Sequence, residues 1–473
     1  MKVELHNCYI KVIYKLDDTD DNLIKIIKSV NSKFTIKNRS LINGKTTIET
    51  RNNYMVKKID DYKIIYLPRF SCISLLNTYK INYDDKRIKP SEIEYFSNIN
   101  LYDSQKVICE HIKKKLLKRT NNNFLLCAET GSGKTTIALD LINKLKVKTL
   151  IIVPNILLLE QWFDQLLNIC NKEDIISWTS KNPDNLLINK KYKIIITTIK
   201  TSIKIDVNLI INNNIGLTIY DEVHLYATKT YLKTFWCTQS YYNLALTATP
   251  NRIDKFEKIY FQHINIPTYN NEILEINNMK SDKISFSCDV EVIKNDKCYN
   301  TELTKSGTVC VANIIENICD DIKRNKIIVT KIIELYDENN ENYTFVFSDR
   351  RNHLILLAEM VVKERENISI LIGGVKKMSV DDAKKNAKVI FTTYQYSSVG
   401  LNIPKMNALI FSTPRRNNMA QIIGRILRLS ENNEKTRKII DIWDNASIFK
   451  SQFYQRKKIY DLNGYIIKYK VIN

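Results

Sequence analysis

The chain has 473 residues, 44% hydrophobic and 26% charged, with a formal net charge of +21. At about 100 to 200 residues per domain this length holds roughly three units with cores of their own, which excludes a small disulfide-stapled scaffold, and the composition excludes a disordered chain. No apolar run approaches the ~20 residues that span a bilayer, and the start, MKVELHNCYI, carries charge where a signal peptide needs apolar residues, so the chain reads as soluble, intracellular and not membrane-bound.

The excess of 72 Lys and Arg over 51 Asp and Glu points to a polyanionic partner such as nucleic acid, although the wealth of Lys, Asn, Ile and Tyr beside 10 Gly and 8 Pro is also what an A+T-rich genome imposes. Ten cysteines include no C-x-x-C pair. Cys298, Cys310 and Cys319 lack both zinc-ligand spacing and a neighbouring His, so free thiols and no structural zinc are expected.

In chain order, 1–98 holds short β-like runs at 3–12 and 62–67, a helix pattern at 23–30 and an Asn43-Gly44 turn, the pattern of a small β-rich accessory domain. Lys57, Lys58, Tyr62, Lys63, Tyr66, Arg69 and Phe70 would suit phosphate and base contacts there, and an amphipathic sheet with a solvated face explains them equally well. An amphipathic helix over 104–119 follows. Apolar strands at 124–127, 149–153, 193–197, 217–220 and 243–246 then alternate with helix-length segments, as in a parallel sheet buried on both faces. After a less regular stretch (266–325) the alternation resumes at 343–347, 369–372, 388–391, 408–411 and 439–442. The fold class is therefore α/β, with two tandem units at 99–265 and 326–446. The tail from 447 is too short for a domain, and Phe449, Phe453, Tyr454 and Tyr460 are expected to pack it onto a neighbour.

The strongest local signal is Ala128-Glu129-Thr130-Gly131-Ser132-Gly133-Lys134-Thr135, between a strand and a helical pattern at 136–145. Glycines let the backbone wrap a phosphate with its N–H groups inward, at a helix N-terminus whose dipole favours negative charge. Lys134 would reach the β- and γ-phosphates and Thr135 would ligate Mg²⁺. The general P-loop has Gly where this chain has Ala128. A second element, Tyr220-Asp221-Glu222-Val223-His224, follows an apolar strand, which puts Asp221 where such folds hold Mg²⁺ and Glu222 where a base orients the attacking water. A surface acidic pair is the commoner explanation of an isolated Asp-Glu. Third, Leu246-Thr247-Ala248-Thr249-Pro250 ends another strand, where Thr247 and Thr249 could bond to His224 and couple the nucleotide site to the rest of the molecule. Fourth, Gln421-Ile422-Ile423-Gly424-Arg425-Ile426-Leu427-Arg428 would put Gln421, Arg425 and Arg428 on one helical face, as γ-phosphate contacts or as a solvated basic helix.

This ordered set resembles the superfamily 2 helicases of the DExH type, whose P-loop also begins with Ala, and the likeness runs from Leu101 to Arg428. Leu101-Tyr102-Asp103-Ser104-Gln105 looks like their adenine-sensing Q element. Ile152-Val153-Pro154-Asn155 with Leu159-Glu160-Gln161-Trp162 looks like motif Ia, and Thr197-Thr198 like motif Ib. Phe347-Ser348-Asp349-Arg350 resembles motif IV, and Phe391-Thr392-Thr393-Tyr394-Gln395 through Gly400-Leu401-Asn402-Ile403-Pro404 resembles motif V. Gly-Leu-Asn-Ile-Pro and the Gln421–Arg428 form look most like poxvirus transcript-release DNA helicases and their relatives among phage recombination helicases and XPB-like translocases.

The resemblance implies two RecA-like domains that bind ATP and Mg²⁺ through Gln105, residues 128–136 ending at Thr136, Asp221 and Glu222, with Arg425 and Arg428 closing on the triphosphate from the second domain. Pro154, Asn155, Thr197, Thr198, Ser348, Arg350, Gly373 and Thr393 would contact nucleic-acid phosphates, largely through backbone N–H groups and hydroxyls, without base identity. The implied activity is an ATP-dependent DNA helicase or translocase moving 3′ to 5′, a viral protein of the host cytoplasm and the virion that works with viral transcription machinery. An RNA helicase is the first alternative, and a scaffold with a vestigial pocket the second.

Overall fold

The computed structural model describes residues 1–42, 45–118, 122–128, 132–179, 192–252, 254–265, 287–299, 309–373, 377–398, 401, 403, 405–415, 419–427 and 436–472. The Asn43-Gly44 turn, Glu129, Thr130, Gly131, Gly400, Asn402, Pro404 and Arg428 lie outside the described residues. Two compact units divide the chain, Met1–Asp282 and Lys283–Asn473.

The first unit begins with a five-stranded sheet in the order Met55–Ile59, Tyr62–Pro68, Tyr9–Lys15, Lys2–Leu5, Asp84–Asp85. The run expected at 3–12 is thus two antiparallel strands with a turn at 6–8, Leu5 pairing with Ile10. Alternation sends Ile10, Val12, Ile65 and Leu67 to one face, where Leu23, Ile26 and Val30 of helix Asp21–Lys33 close a core. Asp20 caps that helix by accepting from Asn22 N, supplying one of the acceptors a helix start lacks. The loop strands Thr35–Ile42 and Lys45–Asn52 pair as a separate hairpin.

Arg69 fits neither reading offered for its segment, a nucleic-acid contact or a solvated face. It is buried (1% exposed), and its guanidinium donates to the carbonyls of Asn7, Ser240 and Tyr241 at 2.8, 2.8 and 3.1 Å and to Asn123 Oδ1. A planar fork with five donors can satisfy several carbonyls at once, so Arg69 fastens the N-terminal domain to the α/β domain.

That domain is a six-stranded parallel sheet ordered Ile175–Trp178, Ile194–Thr198, Thr149–Val153, Leu217–Tyr220, Tyr242–Thr247, Asn123–Cys127. Its strands are apolar on both faces because both are covered. Ile151, Ile196, Ile219 and Leu246 enter one core with Ile137 and Leu141 of helix Lys134–Leu145, while Ile152, Ile195, Tyr220 and Ala245 enter another with Phe235 and Tyr260.

The second unit carries a seven-stranded sheet ordered Ile368–Leu371, Val389–Thr393, Thr344–Ser348, Ala408–Phe411, Arg437–Asp444, Cys288–Asn295, Ile466–Ile472, with parallel pairing throughout. Two tandem RecA-like α/β domains behind a small β domain are therefore the architecture. The stretch expected to be irregular supplies the strand Cys288–Asn295 and the helix Val311–Cys319. The tail is not an appendage either. Its helix Ser447–Leu462 buries Phe449, Phe453 and Tyr460 while Tyr454 stays exposed, Arg456 pairs with Asp441 at 2.8 Å in a buried ion pair, and its last strand extends the sheet edge. Among the described residues no helix is long and apolar enough to cross a membrane.

Candidate nucleotide site

Parallel strands all end on one edge, and loops at that edge gather residues distant in sequence. Register sets their heights: Thr247 is level with Cys127 and Ala245 with Tyr220. Ala128 N donates to Thr247 O at 3.1 Å and Asp221 N to Ile152 O at 2.9 Å, carrying the ladder into the loops.

After strand Asn123–Cys127 the chain turns into helix Lys134–Leu145 through Gly133, the N-cap, at φ +81°. Only glycine takes this conformation without a side-chain penalty. Space demands it too, because a Cβ there would stand 2.3 Å from Gln105 Nε2. Gln105 is itself held: Nε2 donates to Ser132 O (3.1 Å) and Oε1 accepts from Tyr102 N (3.1 Å), the N-cap residue of helix Asp103–Leu116. The element expected to sense adenine thus braces the loop at Ser132 and Gly133. Lys134, the first residue of its helix, donates from Nζ to Ala128 O at 2.9 Å across the loop. Ser132 is exposed and Thr135 and Thr136 are half-buried.

Asp221 (8% exposed) receives Glu222 N on Oδ1 at 3.0 Å and Trp162 Nε1 on Oδ2 at 2.9 Å. Burial, and then the neighbouring Glu222 carboxylate, raise its proton affinity, against the pull of the Trp162 donor and the Lys134 ammonium. Two carboxylates with little water around them favour a nearby cation, and carboxylate and hydroxyl oxygens, such as the Asp221 and Thr135 side chains carry, are the hard donors Mg²⁺ prefers. Glu222 sits at φ 50°, ψ 51°, the left-handed region that non-glycine residues seldom enter and that recurs at functional sites.

His224 Nδ1 lies 3.0 Å from Thr247 Oγ1 and 3.3 Å from Glu222 Oε2, and Thr249 N donates to Thr247 Oγ1 at 3.1 Å. Burial first, then the Arg252 and Lys134 charges, lower the His224 pKa to about 4, so its ring is neutral at pH 7 and one nitrogen accepts while the other donates. His224 Nδ1 thus bonds the strand-end Thr247 hydroxyl and stands beside the Glu222 carboxylate.

Of the expected nucleic-acid residues in this unit, Asn155 is the N-cap of helix Ile156–Leu166, accepting from Leu158 N at 2.9 Å, with half-buried Pro154 before it. Thr198 caps the short helix Ile199–Ser202. Thr197 is fully buried and donates its hydroxyl to Trp178 O at 2.7 Å, so that hydroxyl faces the core.

In the second unit Ser348 is fully buried, with His353 Nδ1 3.0 Å from its hydroxyl and Arg350 N donating to it at 3.1 Å. Arg350 reaches Ala312 O at 3.2 Å, Thr393 Oγ1 accepts from Tyr396 N at 3.2 Å, and Gly373 is half-buried. Gln421 and Arg425, expected on one helical face with Arg428, do not share a helix. The helix Met419–Ile423 holds Gln421 but stops there, and Arg425 follows in a turn closed by Arg425 N to Ile422 O and Ile426 N to Ile423 O at 3.0 and 3.1 Å. Gly424, unfavourable inside a helix, stands at that break. The Arg425 side chain is 5% exposed and donates to Leu401 O at 2.9 Å, within its own unit.

The family profile for the res subunit of type III restriction enzymes matches residues 98–252. An African swine fever virus protein (isolate Tick/Malawi/Lil 20-1/1983), provisionally named ATP-dependent RNA helicase QP509L, is 30% identical over 397 residues, covering 78% of this chain and 74% of that protein. Transcript termination protein A18 of Yaba monkey tumor virus is 25% identical over 395 residues, covering 76% of each. Among solved structures, the DEAD-box helicase Mss116 bound to single-stranded RNA and UDP-BeF is similar with a TM-score of 0.55 at 16% identity, covering 79% of this chain and 75% of that one, which is a likeness of fold.

Proposed function

The chain belongs to the superfamily 2 ATP-dependent helicases, in company with viral members, and we propose that it is a DNA helicase or translocase, moving 3′ to 5′, that acts in viral transcript release. The observation that carries the reading is the gathering of Lys134, Asp221, Glu222, His224 and Thr247 at one sheet edge, with His224 bonded to the strand-end threonine and 3.3 Å from the Glu222 carboxylate. Lys134 would hold the β- and γ-phosphates, residues 128–136 would wrap them, and Glu222 would orient the attacking water. Mg²⁺, held by Thr135 and Asp221, would neutralise the β- and γ-oxygens. Gln421, Arg425 and Arg428 would take the γ-phosphate role that the resemblance gives them, which for Arg425 requires its guanidinium to leave Leu401 O.

Nucleic-acid contacts are proposed at Pro154, Asn155, Thr198, Arg350, Gly373 and Thr393, and at Thr197 and Ser348 through backbone groups, since their hydroxyls are spent inside the protein. Transcript release is supported by the name of the A18 relative. A second reading, an RNA helicase, is favoured by the name of QP509L. Unwinding of tailed DNA and RNA duplexes of both polarities at one fixed salt concentration tests the proposal. ATP-dependent opening of 3′-tailed DNA supports it, opening of RNA alone favours the second reading, and no opening of or translocation on either overturns both.

A further inference from the structure

Asp221 is an acceptor whose two oxygens are each held by one donor. Glu222 N takes Oδ1, a contact that any residue at 222 except proline supplies. The indole N–H of Trp162, 59 positions earlier, takes Oδ2 at 2.9 Å. An ionised carboxylate offers about four lone-pair sites, so one donor on each oxygen fixes the plane of the group and leaves a free lone pair on each for a cation.

The chemistry of the donor is selective. An indole N–H donates and does not accept, carries no charge and does not titrate. It therefore orients the carboxylate without neutralising it, whereas Lys or Arg at the same place would compete with a divalent ion. Rigidity suits the task as well. Trp162 is 2% exposed and shares its core with Val153, Leu159, Leu166 and Ile196. It projects from helix Ile156–Leu166, whose start Asn155 caps, and a tryptophan side chain has only two rotatable bonds.

We propose that Trp162 is a positioning residue for the divalent cation of the nucleotide site, holding the Asp221 carboxylate in the orientation that receives the metal. The proposal rests on the reading of Asp221 as a metal ligand. Outer partners of metal ligands typically change metal affinity 10- to 100-fold when removed.

The test is equilibrium binding of a fluorescent, non-hydrolysable ATP analogue to the full chain, in EDTA and across a Mg²⁺ titration, for wild type, Trp162→Phe, Asp221→Asn and the double variant. Phenylalanine keeps an aromatic ring in the core and loses the N–H. Trp162→Phe is expected to raise the Mg²⁺ half-saturation about 10- to 100-fold, to leave metal-free binding unchanged, and to add nothing once Asp221 is Asn. An unchanged Mg²⁺ half-saturation, or an equal loss with and without metal, would overturn it, since both are what a packing role predicts. If Trp162→Phe fails to fold, ¹⁵N-indole spectra of the wild type decide. One of its four tryptophan N–H signals, identified by its shift in Asp221→Asn, must move when Mg²⁺ is added to the nucleotide complex, and a static signal overturns the proposal. Wild-type protein that binds no nucleotide at all would instead refute the site reading beneath it.

Discussion

Replacing Gly133 by Ala probes the phosphate loop where two independent demands meet. The first is backbone: φ is +81°, and forcing a residue with a Cβ into the left-handed region costs roughly 1 to 2 kcal/mol. The second is space: the new methyl would stand 2.3 Å from Gln105 Nε2, an atom held at 3.1 Å from Ser132 O. Gln105 must swing away and lose that bond, a further 0.5 to 1.5 kcal/mol or so. Together the cost is about 1.5 to 3.5 kcal/mol, a loss of nucleotide affinity of roughly 10- to 400-fold if it falls on the loop's binding conformation. A double-mutant cycle with Gln105→Ala, read by titration of a fluorescent ATP analogue, separates the terms. Gln105→Ala removes the clash, so Gly133→Ala should cost only the backbone part in that background, a coupling of roughly 0.5 to 1.5 kcal/mol. Additive losses, or an unchanged affinity in Gly133→Ala, would refute the claim that Gln105 braces the loop.

Three further outcomes are expected. His263 and His353 are held to about 3 and His224 to about 4, each first by burial. Below pH 6.5 the unfolded chain takes up protons that the folded one refuses, so this stability is full above 6.5 and falls with pH, by about 2 kcal/mol per histidine at pH 5. Urea midpoints should drop between pH 7 and pH 5, and a flat profile contradicts the assignment. Arg69→Met should cost at least about 3 kcal/mol in urea unfolding, because three carbonyls and the Asn123 amide oxygen lose a buried donor; a cost below about 1 kcal/mol would show that water replaces the guanidinium. Thr247→Val, which deletes the contacts with His224 and Thr249 N, should leave ATP hydrolysis within about tenfold while lowering unwinding per ATP. Equal loss of both would remove the coupling role.

Much of the architecture was legible because the strands Thr149–Val153, Leu217–Tyr220 and Ala408–Phe411 are fully buried apolar runs, and a parallel sheet buried on both faces requires such runs. The strand Cys288–Asn295 escaped notice. It alternates, with Asp289, Glu291 and Lys294 breaking the apolar run, and it is specified by long-range pairing with Arg437–Asp444 and Ile466–Ile472. The Ala128–Thr135 loop and the Asp221-Glu222 pair stand out as motifs because the residues proposed to act there are contiguous. The Trp162 contact to Asp221 and the left-handed backbone of Glu222 do not, since each depends on tertiary placement. Arg69 shows the converse case. A basic residue beside aromatics reads equally as a nucleic-acid contact or as part of a solvated face, and the surrounding carbonyls claim it for neither.

The central claim is that Lys134, Asp221 and Glu222 form a working ATPase centre answering to nucleic acid. Steady-state ATP hydrolysis by wild type and Glu222→Gln, with and without single-stranded DNA or RNA at fixed salt, tests it most directly. The account predicts turnover that rises with nucleic acid in the wild type and is abolished, with nucleotide binding retained, in Glu222→Gln. Nucleic-acid-stimulated hydrolysis that survives Glu222→Gln would contradict it.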